Sequence, residues 1–208
     1  MTELMNFAQS LAREAGELIL SERQQADLVH NYKGGNELVT NADIKADQLI
    51  RTRIEQRFAG HRLLSEESSP ELQRVWESEV PVWIVDPIDG TSGFTRGIPI
   101  WATLIALHHA DDGLCVSVIS APALGRRWWA TKGGGAWADG RKCTVSGVDN
   151  IDDAQVNVTL NDGWRELGHA EALIDLTMTA RRSRGVGDFW QHCLFAEGAM
   201  DIAIDAVG

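Results

Sequence analysis

The sequence predicts an α/β (α+β) protein in which helices cover a largely antiparallel sheet in an α/β/α layered fold. The order of the apolar patterns supports this prediction: a helix, a strand and a helix come first, and mixed strands and helices follow. The 208 residues can bury one sizeable core, or two layered halves of one. We therefore expect a single domain over residues 1–208, with halves of roughly 1–120 and 121–208.

The first elements follow from helical periodicity and a capping residue. Leu4–Glu22 places its apolar residues on one stripe, which predicts an amphipathic helix. Thr40 is a suitable N-cap for a second helix that continues to Phe58. His61–Glu67 predicts a short strand that ends in two acids, and residues 69–79 predict a polar connection.

The remaining elements are mostly short apolar runs separated by polar or glycine-rich turns. The predicted strands are Trp83–Val85, Ile98–Leu107, Cys115–Ser120, Arg127–Thr131, Ala154–Leu160 and Met200–Ile204, and the predicted helices are Trp164–Thr179 and Phe189–Gly198. His108–Gly113 is predicted as a turn. Gly133–Gly135 is predicted as a hairpin turn, because it lacks the GK[ST] ending of a phosphate loop.

Composition excludes several kinds of partner. The net charge is −11 and no basic block is present, which argues against a nucleic acid or an anionic membrane. Cys115, Cys143 and Cys193 show no CxxC spacing, so we expect buried reduced thiols rather than disulfides or a zinc site. The N-terminus lacks a basic head with an apolar core, and no apolar run reaches membrane-spanning length. We therefore expect a cytoplasmic protein.

The segment Trp83–Thr91, WIVDPIDGT, is the most informative part of the chain. Its apolar start is typical of a buried strand, and Pro87 is expected to end that strand because proline lacks a backbone donor. Gly90 permits a tight turn, and Thr91 is predicted as the N-cap of a following helix. Backbone N–H groups at such a helix start could hold a phosphate.

Asp86 and Asp89 stand three residues apart around this proline turn, so their carboxylates can face one small space. Two carboxylates that are close together repel each other unless something neutralises them, and a hard divalent cation commonly does so. The alternative is a polar turn with a helix cap, which is the ordinary interpretation of an isolated DxxD pattern.

Three motifs together resemble the inositol-monophosphatase superfamily of Mg²⁺-dependent, Li⁺-sensitive phosphomonoesterases. They are DPIDGT, the LVTNAD of Leu38–Asp43 and the LSEES of Leu64–Ser68, with Lys33 upstream. Within that superfamily, the segments most similar to the actinobacterial-type histidinol-phosphate phosphatases are Gly97–Leu107, Ile119–Ala130 and Gly187–Ile204. The resemblance implies the sugar-phosphatase type of α/β/α fold, two or three Mg²⁺ ions per site and inhibition by Li⁺.

The resemblance also implies roles for individual residues. It implies metal ligation by Glu66, Asp86, the Ile88 carbonyl and Asp89, catalytic roles for Asp43, Glu66 and Thr91, substrate contacts by Gly90, Thr91, Asp188 and Asp205, and supporting roles for Lys33 and Glu67. Without it, Asp43 would be an acid suited to the first turn of a helix, and Lys33 a solvated lysine.

Three functions stay open at this level. The first is Mg²⁺-dependent hydrolysis of L-histidinol phosphate to L-histidinol and phosphate, by in-line attack of water and without a covalent phosphoenzyme. The second is the same chemistry on inositol monophosphate or a related small phosphomonoester. The third is metal or phosphate binding without turnover. It is supported by the absence of the family's C-terminal WD segment from this sequence and by Gly93, at a position where the family commonly has asparagine. The family is usually dimeric, so we expect a homodimer.

The C-terminal part of the sequence carries the substrate-specificity hypothesis. Asp188 could face the amine or imidazole of histidinol, or it could only cap a helix. Asp205 aligns with an acid that touches the substrate in the family. The family places a WD dipeptide, which supplies a metal carboxylate, shortly after that acid, whereas this sequence ends at Gly208. We therefore expect a fragment that lacks the C-terminal WD-helix region.

Overall fold

The computed structural model describes residues 2–24, 30–32, 38–67 and 78–206. Lys33 and most of the predicted polar connection lie outside the described residues. The chain forms two units, residues 1–140 and residues 141–208. No helix in the described part of the chain is long and apolar enough to cross a membrane.

The first unit contains helices on a sheet. Its elements are α1 (Thr2–Gln24), β1 (His30–Tyr32), β2 (Leu38–Thr40), α2 (Asn41–Arg57), β3 (Arg62–Ser65), β4 (Val82–Asp89), α3 (Thr91–Thr95), β5 (Ala102–His109), β6 (Gly113–Ala121), β7 (Arg126–Thr131) and β8 (Gly135–Ala138). Strands β3 to β8 pair in chain order; β3 and β4 are parallel and the following pairs are antiparallel. The predicted α/β class and the largely antiparallel sheet are confirmed here.

The core of this unit forms because α1 and α2 place their apolar stripes on the sheet. The buried cluster includes Leu11 and Ile50 from the helices, and Trp83, Ile105 and Val118 from the strands. Both predicted helices are confirmed, and Thr40 caps α2 as predicted. Burial of apolar surface of this kind stabilises the folded state by roughly 25 cal/mol per Å². It also holds β4, which carries Trp83, against the helices.

The second unit contains a small parallel sheet. The elements of this unit are β9 (Arg141–Lys142), β10 (Gln155–Val158), α4 (Gly163–Glu166), α5 (Ala170–Thr179), β11 (Arg182–Arg184), α6 (Asp188–Ala196) and β12 (Ile202–Ile204). β10 is central and pairs in parallel with β11 and with β12. The antiparallel prediction therefore does not extend to this sheet. The apolar side of β10 packs against α5, where Val156, Val158 and Leu173 are buried together.

Three local predictions were wrong. Ile98–Leu107 becomes a strand only from Ala102, and the predicted turn starting at His108 begins later, because β5 continues through His109. Trp164–Thr179 is two helices, because Gly168 between them has φ = 73°. That left-handed conformation ends a helix, and glycine adopts it without steric cost. The hairpin turn at Gly133–Gly135 is confirmed between β7 and β8.

Candidate active site

The parallel pairing of β3 and β4 brings two acidic positions together at one end of the two strands. Ser65 lies opposite Val85 in the register. The N–H of Glu66, the residue after β3, donates to the Val85 carbonyl at 3.1 Å. Asp86 follows Val85 directly, so Glu66 and Asp86 are neighbours across the ladder. This is the carboxyl end of both strands, where α/β proteins commonly place their sites.

The predicted end of the strand at Pro87 was wrong, because β4 passes through the proline by means of a bulge. Asp86 lies opposite Leu104 and Asp89 lies opposite Ala102, so two residues of β4 face one residue of β5. That residue is Thr103, whose hydroxyl donates to the Pro87 carbonyl at 2.9 Å. A bulge needs no ladder N–H at the proline, and it re-aims the side chains on either side of it.

The Ile88 carbonyl is held in place from both sides. The Ile88 side chain is buried with Phe94 and Trp101, and the Thr91 hydroxyl donates to the carbonyl at 2.8 Å. A carbonyl oxygen has two lone pairs, so one remains for another partner. The predicted capping role of Thr91 was wrong: Gly90, with φ = 87°, is the N-cap and Thr91 is the first residue of α3.

Asp43 takes part in a capping box at the start of α2. Its Oδ2 accepts from the backbone N–H of Thr40 at 2.9 Å and also from the Thr40 hydroxyl. Its Oδ1 lies 3.4 Å from the Thr91 hydroxyl oxygen. Burial raises the pKa of Asp43, hydrogen bonds from Thr40 oppose this change, and the charge of Glu66 adds to it. Asp43 is therefore both a helix-capping residue and a member of the carboxylate group.

Asp86 has the most perturbed carboxyl group of this site. Burial first, and then the charges of Glu66 and Asp89, raise its pKa well above the ordinary value, with further contributions from a hydrogen bond with Glu66 and from the charge of Asp43. Its Oδ1 is buried and has no hydrogen-bond partner among the residues that the structure describes. Such an atom is costly unless it is satisfied. A bound cation would both coordinate this oxygen and offset the surrounding negative charge.

The first unit thus brings together five of the residues singled out in the sequence: Asp43, Glu66, Asp86, Asp89 and Thr91. Within the described ranges, no three His, Cys, Asp or Glu side chains form a preassembled ligand group. The fit to a metal therefore rests on the buried Asp86 oxygen and on the unbalanced charge. Glu67 is half-buried beside Glu66, and its N–H donates to the Ser65 hydroxyl at 3.4 Å.

Asp188 and Asp205 are neighbours within the second unit. Burial raises the pKa of Asp188, and the charge of Asp205 raises it further. Asp188 is the first residue of α6 and has φ = 51°, a left-handed conformation that is uncommon for a residue other than glycine. The N-cap of α6 is Gly187, and no side chain in the described ranges makes a capping hydrogen bond there. The simple capping role that was open for Asp188 therefore has no geometric support.

Sequence reasoning missed the polar residues that surround Asp205. Asn161 Nδ2 donates to Asp205 Oδ1, and Gln191 Nε2 donates to Asp205 Oδ2, each at 3.2 Å. Gln191 also contacts Asn157, and both are completely buried. One signal in the sequence could have pointed to them, because Asn157 interrupts the apolar run Val156–Val158 of a predicted core strand.

A cleft of about 460 Å³ in the first unit is lined by other residues, among them Arg13, Glu17, Arg126, Arg127 and Asp139. Arg13 pairs with Glu17, and Arg126 pairs with Asp139. None of the candidate site residues that the structure describes lines this cleft. The cleft is therefore separate from the cluster of carboxylate side chains around Asp86.

A mixed sheet covered by helices is the arrangement that the sugar-phosphatase type of fold predicts. Residues 1–206 match the inositol monophosphatase family, and the chain belongs to that family. Cys115 and Cys193 are buried as expected, whereas Cys143 is only half-buried.

Curated relatives fall into two groups. The chain is 41% identical to a histidinol-phosphatase of Mycobacterium tuberculosis, covering 96% of this chain and 76% of that protein. It is 36% identical to a histidinol-phosphatase of Streptomyces coelicolor, covering 97% and 77%. It is also 31% identical to inositol monophosphatase 1 of Sus scrofa, covering 96% and 73%.

Solved structures confirm the fold. An IMPase of Thermotoga maritima superposes with a TM-score of 0.84 at 24% identity, covering 99% of this chain and 76% of that one. A staphylococcal inositol monophosphatase soaked in LiCl as an inhibitory complex has a TM-score of 0.78 at 21% identity, covering 98% and 73%. An IMPase/NADP phosphatase bound to NADP and Ca²⁺ has a TM-score of 0.83 at 21% identity, covering 98% and 75%.

Proposed function

We propose that the protein is a Mg²⁺-dependent phosphomonoesterase that hydrolyses L-histidinol phosphate to L-histidinol and phosphate. The observation that carries the metal-dependent part is the buried, unsatisfied Asp86 oxygen within a group of carboxylates. Membership of the inositol monophosphatase family supports the phosphoric monoester hydrolase class. Relatives named histidinol-phosphatase, at up to 41% identity, support the substrate.

Glu66, Asp86, Asp89 and the Ile88 carbonyl are the groups that would hold Mg²⁺. All four supply oxygen, which is the ligand atom that Mg²⁺ prefers. When bound, the ion supplies Lewis acidity for the phosphate and for an attacking water. Two of the solved relatives were studied with Li⁺ or Ca²⁺, which supports cation binding at such a site, and Mg²⁺ is our choice among hard cations.

The chain's own residues supply proton transfer and orientation. A water that attacks phosphorus in line needs a group to accept its proton, and Asp43 or Glu66 is suited to this role. Burial already raises the pKa of Asp43, which makes it a better base than an ordinary aspartate. The Thr91 hydroxyl lies between Asp43 and the Ile88 carbonyl and orients the base. N–H groups at Gly90 and Thr91 would donate to the phosphate oxygens.

Asp188 and Asp205 are the residues that we assign to recognition of the substrate's organic part. Histidinol phosphate carries an ammonium group and an imidazole, whereas inositol phosphate carries only hydroxyls. A carboxylate at the pocket wall would favour the former by a charge-assisted hydrogen bond worth ~1.5–3 kcal/mol. The proximity of the two carboxylates, which raises the pKa of Asp188, supports a local preference for a cationic group.

Inositol monophosphate remains the second candidate substrate, supported by the 31% identity to an inositol monophosphatase. The decisive experiment compares kcat/KM for L-histidinol phosphate and for inositol 1-phosphate with Mg²⁺. A higher kcat/KM is expected for histidinol phosphate. Equal or reversed values would contradict histidinol phosphate as the preferred substrate. Absence of phosphate release from both would support a binding protein without turnover. The homodimer and the cytoplasmic location stay predictions.

A further inference from the structure

The Asp205 carboxylate is held from inside the protein by a buried pair of amides. Gln191 lies on α6 and Asn157 lies on β10; both are 0% exposed. Asn157 Nδ2 donates to Gln191 Oε1 at 2.8 Å. Gln191 Nε2 donates to the Thr159 hydroxyl at 3.0 Å and to Asp205 Oδ2 at 3.2 Å. Asp205 itself is exposed, and Asn161 Nδ2 donates to its Oδ1 at 3.2 Å. Each carboxylate oxygen accepts more than one hydrogen bond, so both can still bind a ligand.

A backbone group determines the orientation of both amides. The N–H of Val186 donates to Asn157 Oδ1 at 3.0 Å. A backbone N–H cannot become an acceptor, so the oxygen of Asn157 must face it and the NH₂ group must face Gln191. The oxygen of Gln191 must then face Asn157, and its NH₂ group must face Asp205. Reversal of either amide would bring like groups into contact at two places.

We propose that Asn157 and Gln191 are positioning residues that aim the Asp205 carboxylate at a cationic group of the substrate. This proposal rests on the substrate-binding role assigned to Asp205 above. The same pair also fixes Val186, two residues before Asp188, so one buried contact holds both carboxylate-bearing segments. Without the Gln191 donor, the carboxylate would be held only through Oδ1 by Asn161, and rotation about that single contact would weaken a directional hydrogen bond to the ligand.

The test uses apolar residues of similar size. Gln191→Met removes the donor to Asp205, and Asn157→Leu removes the group that sets the orientation of Gln191. Each single change leaves a buried amide unsatisfied. The double change removes both amides and leaves only the Val186 N–H without its acceptor, so it should recover part of the lost stability. We expect about a tenfold rise in KM for histidinol phosphate in all three variants, with kcat almost unchanged. KM for glycerol phosphate, which carries no cation, should stay at the wild-type value.

His192→Met is the matched control, because His192 is the next residue of the same helix and is exposed. It should leave KM unchanged for both substrates. Thermal unfolding of every variant reports stability. If KM returned to the wild-type value in the double variant together with the melting temperature, the pair would be purely structural and the proposal would be overturned. If a single variant fails to fold, the double variant still supplies both readouts.

Asp205→Asn separates failure of this proposal from failure of the proposed function. A raised KM in Asp205→Asn with wild-type KM in Gln191→Met and in the double variant would overturn the positioning role and leave the substrate assignment intact. A wild-type KM in Asp205→Asn would remove Asp205 from recognition, and the positioning role would fall with it. Phosphate release with Mg²⁺ would still report on the hydrolase separately.

Discussion

The Thr91 hydroxyl oxygen lies 3.4 Å from Asp43 Oδ1, although 48 residues separate the two in the chain. The same hydroxyl lies 2.8 Å from the Ile88 carbonyl oxygen. One small side chain therefore connects the N-terminus of α2 with the bulged end of β4. Asp43 is in turn fixed by its capping box with Thr40, so the position of Thr91 depends on local helix capping.

This contact predicts a hydroxyl requirement at residue 91. Thr91→Val keeps the size of the side chain but removes the donor, so we expect kcat to fall by roughly 10²-fold, which is the lower end of what proton-transfer groups contribute. Thr91→Ser keeps the hydroxyl and should retain most of the activity. Steady-state phosphate release from both variants provides the comparison, and near-wild-type turnover in Thr91→Val would contradict the hydroxyl requirement.

Metal dependence is the second prediction. An excess of chelator should abolish phosphate release, and added Mg²⁺ should restore it, because the buried Asp86 Oδ1 has no hydrogen-bond partner within the described part of the chain. Binding to the folded state alone should also raise the free energy of unfolding, by about 2.7 kcal/mol at a Mg²⁺ concentration of 100 times Kd. Full activity in chelator would rule out the assigned ligand set.

Asp86→Asn should abolish activity while making the metal-free protein more stable at neutral pH. The pKa of Asp86 is raised well above 3.8, chiefly by burial and then by neighbouring charge. The folded protein therefore binds this proton more tightly than the unfolded chain does, and stability is lost as pH rises from about 3.8 toward the raised folded pKa. Asparagine has no such loss.

The measurement is thermal unfolding in excess chelator at about pH 5 and about pH 8. The advantage of Asp86→Asn over the wild type should be larger at the higher pH. In Mg²⁺ the order should reverse, since only the wild type gains stability from the ion. A variant that is less stable than the wild type at both pH values without metal would contradict the assigned burial and charge.

Local sequence information was sufficient where a contact lies within one element or its cap. The stripe of Leu4–Glu22 predicted α1, and Thr40 predicted the start of α2. Local sequence information did not predict that β4 continues through Pro87. A bulge is defined by pairing with the neighbouring strand, here β5, which supplies Thr103. Gly168 could have indicated the break between α4 and α5. The helical periodicity on either side of it was the stronger signal and predicted one helix.

The same distinction applies to the candidate site, where residues within a motif were predicted and contacts between distant segments were not. The DPIDGT motif predicted which carboxylates belong together, because a family resemblance already contains tertiary information. The buried amides around Asp205 could not be predicted, since Gln191 meets Asn157 across 34 residues and Asp205 across 14. No spacing rule connects a strand residue, a helix residue and a loop residue that meet only after the second sheet has formed.

Gly93 provides a test of the departure from the family pattern. It lies within α3, and a Cβ there would meet the Ile100 carbonyl oxygen at 3.4 Å and Ile98 Cβ at 3.6 Å, which are ordinary contacts. Gly93→Ala should therefore raise the free energy of unfolding by about 0.4–1 kcal/mol. Gly97→Ala is the matched control: Gly97 has φ = 84°, so alanine there should destabilise. Chemical denaturation of both variants measures the difference.

The last prediction concerns substrate choice through Asp188. Asp188→Asn removes the charge but keeps a residue type that tolerates φ = 51°. We expect kcat/KM for histidinol phosphate to fall by about one to two orders of magnitude, and that for glycerol phosphate to change little. Because burial and the Asp205 charge raise the pKa of Asp188, the variant should also be more stable than the wild type at neutral pH, with a gain that shrinks toward acidic pH.

Stability and specificity should therefore move in opposite directions at this residue, as expected when an unfavourable carboxylate is kept for binding. Asp188→Gly is a useful companion variant, because glycine relieves the left-handed backbone and also removes the charge. Its kcat/KM for histidinol phosphate should fall as far as that of Asp188→Asn. Small and equal effects of both variants on both substrates would remove Asp188 from the recognition site and leave the preference for histidinol phosphate to be explained by other residues.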